Sequence, residues 1–536
     1  MKRTLTVAAA AAALMLLAGT SAACSAATDA PGEGSTTATT GSAPAEREDE
    51  TADAAVPATT SAPVSSTTLA TQPPSTTALA EPDGGDGLVT EIEGRWEGTA
   101  DVPGLGTLPF AIDLHVVDDG LGGTIDVQGN IGLPLSELVL EGTRLRFELK
   151  SPLGLIKWDG ELRDGVIEGE FTQLSNTGPF RLHRHGAEPD FAAESDPDYG
   201  HRSEEVTFAN GAFVLAGEVA LPDGDGPHPA VVLINGSGDL DRDVTIGQFR
   251  LFADLAGHLA QAGIASLRWD DRGVGGSDGY GPHTTLEDRA GDVEAAVELL
   301  RTHPDIDADR IGLIGHSEGG FIAPIVANRS HSIAFVALLA GSAVPGDELL
   351  RMQLPRILRV AGTPPDEIAR QQAHQELILQ AILRGEGWGE AEMSAREAVR
   401  RELEAMSEEQ RESIPDEEAF LDISVEQQLS PLRSRYFRSL VTHDPRPDLV
   451  ELEVPVLALF GELDTQVPPA ANAAALSEAI AASAIPSYAI GTVTGANHLF
   501  QAAVTGSPDE YTELAPEFAP EFLQLLTDWL TAQTKA

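Results

Sequence analysis

From about Glu204 to its C-terminus the chain alternates short apolar runs with stretches of helical periodicity, and few folds accept that pattern. The apolar runs are Ala230 to Ile234, Ile264 to Arg268, Ile311 to Ile314, Ile333 to Leu339, Pro455 to Phe460 and Ser487 to Ile490. Between them, helical spacing shows at Phe249 to Ala262, Leu286 to Leu300 and Ala473 to Ala482. A strand that is apolar along its length needs cover on both faces, and helices between such strands supply it as crossovers of a mainly parallel sheet. An α/β architecture is therefore expected over residues 204–536. One stretch breaks the rhythm: residues 347–436 carry Glu, Arg, Gln and Ala at helical spacing between two strands. It reads as a helical cap or lid inserted into the sheet's connections, with a solvated helical insertion that gates nothing as the alternative.

Residues 88–184 have a different texture. Phe110 to Val116 and Leu145 to Leu149 alternate apolar with polar residues, and Gly, Asp and Asn separate such runs. Period-two patterning with frequent turns predicts a small antiparallel β-sheet or barrel. No catalytic constellation falls in it, so a structural or docking module is expected. Residues 24–87 are mostly Ser, Thr, Ala, Pro and Gly, with too little apolar material to offset chain entropy, and read as a disordered stalk. At the start, Lys2 and Arg3 precede an apolar run from about Val7 to Ala18, too short to span a bilayer, so residues 1–23 read as a secretory signal. Cys24 is the only cysteine, which excludes an intramolecular disulfide. Ser21-Ala22-Ala23-Cys24 resembles a bacterial lipobox, with Ser21 where such motifs usually carry Leu. An exported protein is expected: a cell-surface lipoprotein if Cys24 is lipidated, a freely secreted one if the site is cut by an ordinary signal peptidase.

The charge narrows the partners. Against 34 basic side chains stand 84 acidic ones, a formal net charge of -50. Nucleic acid and anionic membrane surfaces both need a basic face, so neither is expected as the main partner, and contact with a membrane is expected only through a lipid on Cys24. A solvated acidic surface is the plain explanation.

Chemistry concentrates in three loops. Gly315-His316-Ser317-Glu318-Gly319 fits G-x-S-x-G, in which a serine sits at a sharp strand-to-helix turn and flanking glycines let the backbone fold tightly around it. With 53 glycines in the chain a chance match is common, and Gly275-Gly276-Ser277-Asp278-Gly279 is a second copy. Context separates the two. Ser317 follows an apolar strand and precedes the helix-compatible run Gly320 to Val326; Ser277 follows the loop Asp270 to Val274 and precedes Tyr280-Gly281-Pro282. Ser317 is the expected nucleophile and Ser277 a loop residue.

A serine hydroxyl attacks only if a base takes its proton and a third group orients that base. After the strand Pro455 to Phe460 comes Asp464, the expected acid; Glu462 competes but lies hard against the strand end. After the last strand comes His498, the expected base. His316 is too close to Ser317 in the chain to reach its hydroxyl and is assigned to packing. For the oxyanion of a tetrahedral intermediate, the expected donors are the backbone amides of Glu318, at a helix N-terminus, and of Ser237, in the Gly-rich turn Asn235-Gly236-Ser237-Gly238-Asp239.

These stretches together resemble bacterial α/β-hydrolases of the serine aminopeptidase-like and carboxylesterase type. The match rests on Ile234 to Gly238, Asp270 to Gly275, Gly315 to Gly319, Asp464 to Pro468 and Asn497-His498, and covers roughly Glu204 to the C-terminus. It implies that Ser317, Asp464 and His498 form a triad, and an esterase working through these groups requires no metal or organic cofactor. One departure is Asn235, where many relatives have histidine. Three functions remain open: an esterase acting through an acyl-enzyme, a serine aminopeptidase or acylaminoacyl peptidase using the same groups on short peptides, and a surface binding protein on a hydrolase scaffold.

Overall fold

The computed structural model describes residues 92–535, apart from 103–105, 118–119, 128–129, 152–153, 164, 174–175, 185–200, 280, 282–283, 407–410, 412–413 and 415. The expected signal, the stalk and Cys24 fall outside the described residues.

Nine antiparallel strands, from Gly94–Val102 to Asn176–Arg184, make the first sheet. Its two edge strands, Asn130–Pro134 and Ser136–Glu141, are neighbours in the chain, separated by Leu135 alone. One residue cannot cross the width of a flat sheet, so the sheet rolls until its edges meet. Leu135 marks the junction, its amide donating to the Gly123 carbonyl at 3.0 Å. The alternation read from the sequence fills the roll: Trp158 packs against Phe147, Phe110, Phe171 and Phe180 with ring centroids 4.6 to 5.6 Å away.

The strands of the second sheet, numbered in chain order, are β1 (Arg202–Asn210), β2 (Phe213–Leu221), β3 (His228–Ile234), β4 (Ala265–Trp269), β5 (Ile306–His316), β6 (Ile333–Leu339), β7 (Val456–Gly461) and β8 (Tyr488–Val493). They lie in the order β1-β2-β4-β3-β5-β6-β7-β8. β2 pairs antiparallel with β1 and β4, and every other neighbouring pair is parallel. Along β3, Ala230, Val232 and Ile234 enter one apolar cluster while Val231 and Leu233 enter another. That is the period-two geometry of a strand buried on both faces. Helices α1 (Leu251–Gln261) and α11 (Pro520–Thr534) cover one face. The other is covered by α2 (Leu286–Thr302), α3 (Gly319–Arg329) and α10 (Pro469–Ala482).

Between β6 and β7 the insertion folds into α4 (Gly346–Val360), α5 (Pro365–Arg384), α6 (Trp388–Ala405), α7 (Glu417–Leu429) and α8 (Arg435–Thr442), followed by the short α9 (Arg446–Glu451). Leu379, Val399, Phe420 and Phe437 of the insertion share the cluster formed on the α2 and α3 face, so it buries an apolar side against the domain. Helix starts follow local chemistry. At α2 the Thr285 hydroxyl accepts from the Asp288 amide, and the Asp288 carboxylate accepts from the Thr285 amide at 2.8 Å.

Several expected boundaries move, two of them for a visible local reason. The helix expected from Phe249 begins at Leu251, because Phe249–Arg250 pairs with Thr245–Ile246 in a small ladder. β5 starts at Ile306, before the apolar run at Ile311, since Asp307, Asp309 and Arg310 occupy its partly exposed end.

What positions the site is the sheet order. Leaving β3, the chain crosses to β4 on one side and then to β5 on the other. At such a switch point the loops leaving the carboxyl ends part and leave a crevice. The Asn235 to Asp239 turn and the Ser317 turn both open at that place.

Candidate active site

β5 ends at His316, and Ser317 turns the chain into α3 with φ 54°. A left-handed backbone is strained for any residue but glycine and, at a strand-to-helix turn, lifts the side chain off the sheet. The turn is tight enough to dictate its flanks. A Cβ on Gly315 would stand 2.1 Å from the Gly319 carbonyl oxygen, and one on Gly319 would stand 2.4 Å from the Ile234 oxygen. No side chain fits at either place. The Ser317 amide donates to Leu339 O at 2.9 Å, anchoring the turn to β6.

Asp464 and His498 meet. The His498 Nδ1 and Asp464 Oδ2 atoms are 2.8 Å apart, with both side chains almost wholly buried. The other Asp464 oxygen, Oδ1, accepts from the amides of Gln466 and Val467, each at 2.8 Å, which fixes the carboxylate in its loop. Glu462, the competitor, is turned elsewhere, its Oε2 accepting from the Gly495 amide at 2.8 Å. The loops bearing Asp464 and His498 touch so closely that a Cβ on Gly461 would meet Asn497 O at 2.2 Å. Asn497 then shapes the His498 loop, its Oδ1 accepting from the amides of Leu499 and Gln501.

His316 ties this loop to the Ser317 turn. Its Nε2 lies 3.1 Å from His498 O, and the two imidazole rings are 4.9 Å apart. The carbonyl only accepts, so Nε2 carries the proton. Burial, with the neighbouring His498 ring, pushes His316 down to about 3 and keeps it neutral. His498 thus lies beside the residue preceding Ser317. Among the described residues no hydrogen bond joins the Ser317 hydroxyl to the His498 ring. The amides of Ser237 and Glu318 likewise donate to no acceptor among the described residues. Gly236 abuts the serine: a Cβ there would lie 3.2 Å from Ser317 Cβ.

Beneath these amides lies a buried polar network that motif reading missed. Ser237 Oγ donates to Glu318 Oε2 at 2.8 Å, and Tyr436 OH donates to the same oxygen at 2.6 Å. Arg289, from α2, donates to Gly238 O at 2.6 Å and to Asp271 Oδ2 at 3.3 Å, and its Nε stands 3.6 Å from Glu318 Oε1. Burial alone would lower the Arg289 guanidinium, but Asp271 and Glu318 outweigh it and hold the group above its ordinary value. Burial pushes Asp271 up to about 7 against the pull of Arg289. Asn235 donates to Asp271 Oδ1 at 3.2 Å and so braces this network.

Ser277 is elsewhere in kind as well as place. Its hydroxyl donates to Asp270 O at 2.7 Å and accepts from the Ala216 amide at 2.9 Å, fully buried.

A strained serine turn at the switch point of an eight-stranded sheet, with a buried histidine–carboxylate pair beside it, sets the comparison with known proteins. The model of the alpha/beta hydrolase family matches residues 231–514, more than half of the chain. The chain belongs to the alpha/beta hydrolase family. It is 27% identical over 323 residues to the esterase EstD of Thermotoga maritima, a match spanning 60% of this chain and 63% of that relative. The chain thus spans under two thirds of that relative's length. Among solved structures, an esterase of Pyrococcus furiosus aligns with TM-score 0.37 at 14% identity, over 63% of this chain and 93% of its own. A dienelactone hydrolase of Anabaena variabilis aligns with TM-score 0.32 at 14% identity, over 62% and 98%.

Proposed function

We propose that this hydrolase cleaves carboxylic esters through an acyl-enzyme, with Ser317 as nucleophile, His498 as base and Asp464 as the acid behind it. The observation that carries the reading is the 2.8 Å contact between His498 Nδ1 and Asp464 Oδ2, next to a serine held in a left-handed turn. With Nδ1–H donated to the carboxylate, His498 Nε2 keeps its lone pair and can take the Ser317 proton. Ser317 Oγ bonds to the carbonyl carbon, and the carbonyl pair moves to oxygen. The amides of Ser237 and Glu318 are free to receive that oxyanion. Collapse breaks the carbon–oxygen bond to the alcohol, which leaves with the proton from His498. Water, deprotonated by the same imidazole, then releases the acid and restores Ser317.

The name of the Thermotoga maritima relative supports an ester substrate. Turnover of p-nitrophenyl acetate and butyrate beside that of aminoacyl-p-nitroanilides tests the choice. Faster turnover of the esters is expected. Anilide turnover exceeding ester turnover would replace the reading with a peptidase one.

A further inference from the structure

Glu318 follows the proposed nucleophile directly and is buried, with its side chain fully shielded from solvent. A carboxylate in such a place is costly unless its environment donates to it. The donors here come from three separate segments. Ser237 belongs to the turn after β3, Arg289 to α2 and Tyr436 to α8, the last helix of the insertion. Two hydroxyls converge on one oxygen, Oε2. The guanidinium faces the other, Oε1, at 3.6 Å, beyond hydrogen-bond reach, and Oε1 has no hydrogen-bond partner. The hydroxyls, rather than the ion pair, therefore set the carboxylate's position.

The residues so joined are the two whose amides are the proposed oxyanion donors. The Ser237 hydroxyl and the Glu318 carboxylate lock one to the other. Arg289 sets the same turn from below, through the carbonyls of Gly236 and Gly238. In a trans peptide the N–H points opposite to the C=O, so a guanidinium holding Gly236 O turns the Ser237 N–H away from itself. Tyr436 completes the arrangement. Its ring lies 5.4 Å from the Arg289 guanidinium, and its hydroxyl reaches the carboxylate. Burial, and after it the charge of Glu318, raises the Tyr436 phenol well above its ordinary value, which keeps it a donor.

We propose that Tyr436 is a positioning residue: through the Glu318 carboxylate it fixes the spacing of the Ser237 and Glu318 amides, so that the inserted helices complete the oxyanion site instead of merely covering it. The inference rests on the proposed serine esterase reading and deepens it. The insertion then acts on the rate of the chemical step as well as on access, because misplacing an oxyanion donor weakens the transition state more than the bound ester.

The test compares Tyr436→Phe, Glu318→Gln and Glu318→Ala with the unaltered chain on p-nitrophenyl butyrate, together with inhibition by phenylboronic acid, which forms a tetrahedral adduct on a serine. Tyr436→Phe removes one oxygen and keeps the ring, and Glu318→Gln keeps an acceptor for both hydroxyls. Tyr436→Phe is expected to lower kcat by about tenfold to hundredfold with KM within about threefold. The boronate inhibition constant should rise by a factor similar to the loss in kcat/KM. Glu318→Gln should retain more activity than Glu318→Ala. Unchanged kcat in a folded Tyr436→Phe, or a fall in kcat with unaltered boronate binding, would overturn the proposal. Ser317→Ala, run alongside, separates the two claims. If it retains activity, the serine reading itself fails; if it is inactive while Tyr436→Phe is normal, only the positioning role falls.

Discussion

The chain carries the pattern G-x-S-x-G twice, and the two copies end in different surroundings. At Ser277 the hydroxyl is used up by the backbone, donating to Asp270 O and accepting from the Ala216 amide. At Ser317 the backbone is left-handed, and among the described residues no hydrogen bond restrains the hydroxyl. The glycines differ too. Gly315 and Gly319 are required by backbone packed within 2.1 and 2.4 Å of a Cβ, whereas a Cβ on Gly275 would meet the Asp270 carboxylate. Five letters do not make a nucleophile. A strand that stops in a crevice, and a helix that starts there, leave a hydroxyl unsatisfied and strained, which an evolved fold tolerates where the group has work to do.

That contrast can be broken in several ways. The largest effect expected is on turnover: Ser317→Ala should lower kcat on p-nitrophenyl butyrate by about 10⁴-fold or more, while Ser277→Ala stays within a few-fold. Next, Asp464→Asn should cost about 10³-fold to 10⁴-fold, because the amide no longer holds the right imidazole tautomer. Glu462→Gln, altering an exposed group bound to the Gly495 amide, should leave kcat within about twofold in the same assay. Stability should run the other way. Chemical unfolding of Ser277→Ala should show a loss of about 1–3 kcal/mol, from stranding the Ala216 amide and the Asp270 carbonyl that the buried hydroxyl joins. Ser317→Gly should gain about 1 kcal/mol by relieving the left-handed strain, while being inactive.

The smallest effect concerns pH. His316 is held neutral in the fold at about 3, below its ordinary 6.5. Between those values the unfolded chain binds the extra proton, so this group's contribution to stability is complete above pH 6.5 and lost as pH falls toward 3. Asp271, raised to about 7, acts in the opposite sense, losing stability as pH rises from about 4 through 7. His316→Gln should therefore show a shallower acid loss than the unaltered chain when unfolding is followed from pH 7 to 4.

How much of this was legible in the chain depends on distance along it. β6 was read to the residue, since Ile333 to Leu339 is apolar throughout and flanked by turns. The far end of β5 was hidden, because Asp307 to Arg310 run beyond the sheet's apolar layer and carry no strand signature. His498 and Asp464 could be named from their places after strand ends, and the structure brings them together. The network under the proposed oxyanion amides had no local signal at all. Tyr436 lies 118 residues from Glu318, and Arg289 sits on a helix whose exposed face explains its charge equally well. A buried hydrogen bond between distant residues leaves no periodicity behind. The rolled first sheet was half visible: alternation gave its strands, but that its edges are joined through Leu135 follows only from strand order.

Covalent labelling reads directly which hydroxyl in the chain is chemically alive. Incubation with a fluorophosphonate followed by intact-mass measurement should give a single adduct on the unaltered chain and on Ser277→Ala, and none on Ser317→Ala. An adduct persisting on Ser317→Ala, or a folded, unaltered chain that takes up no label, would contradict the account.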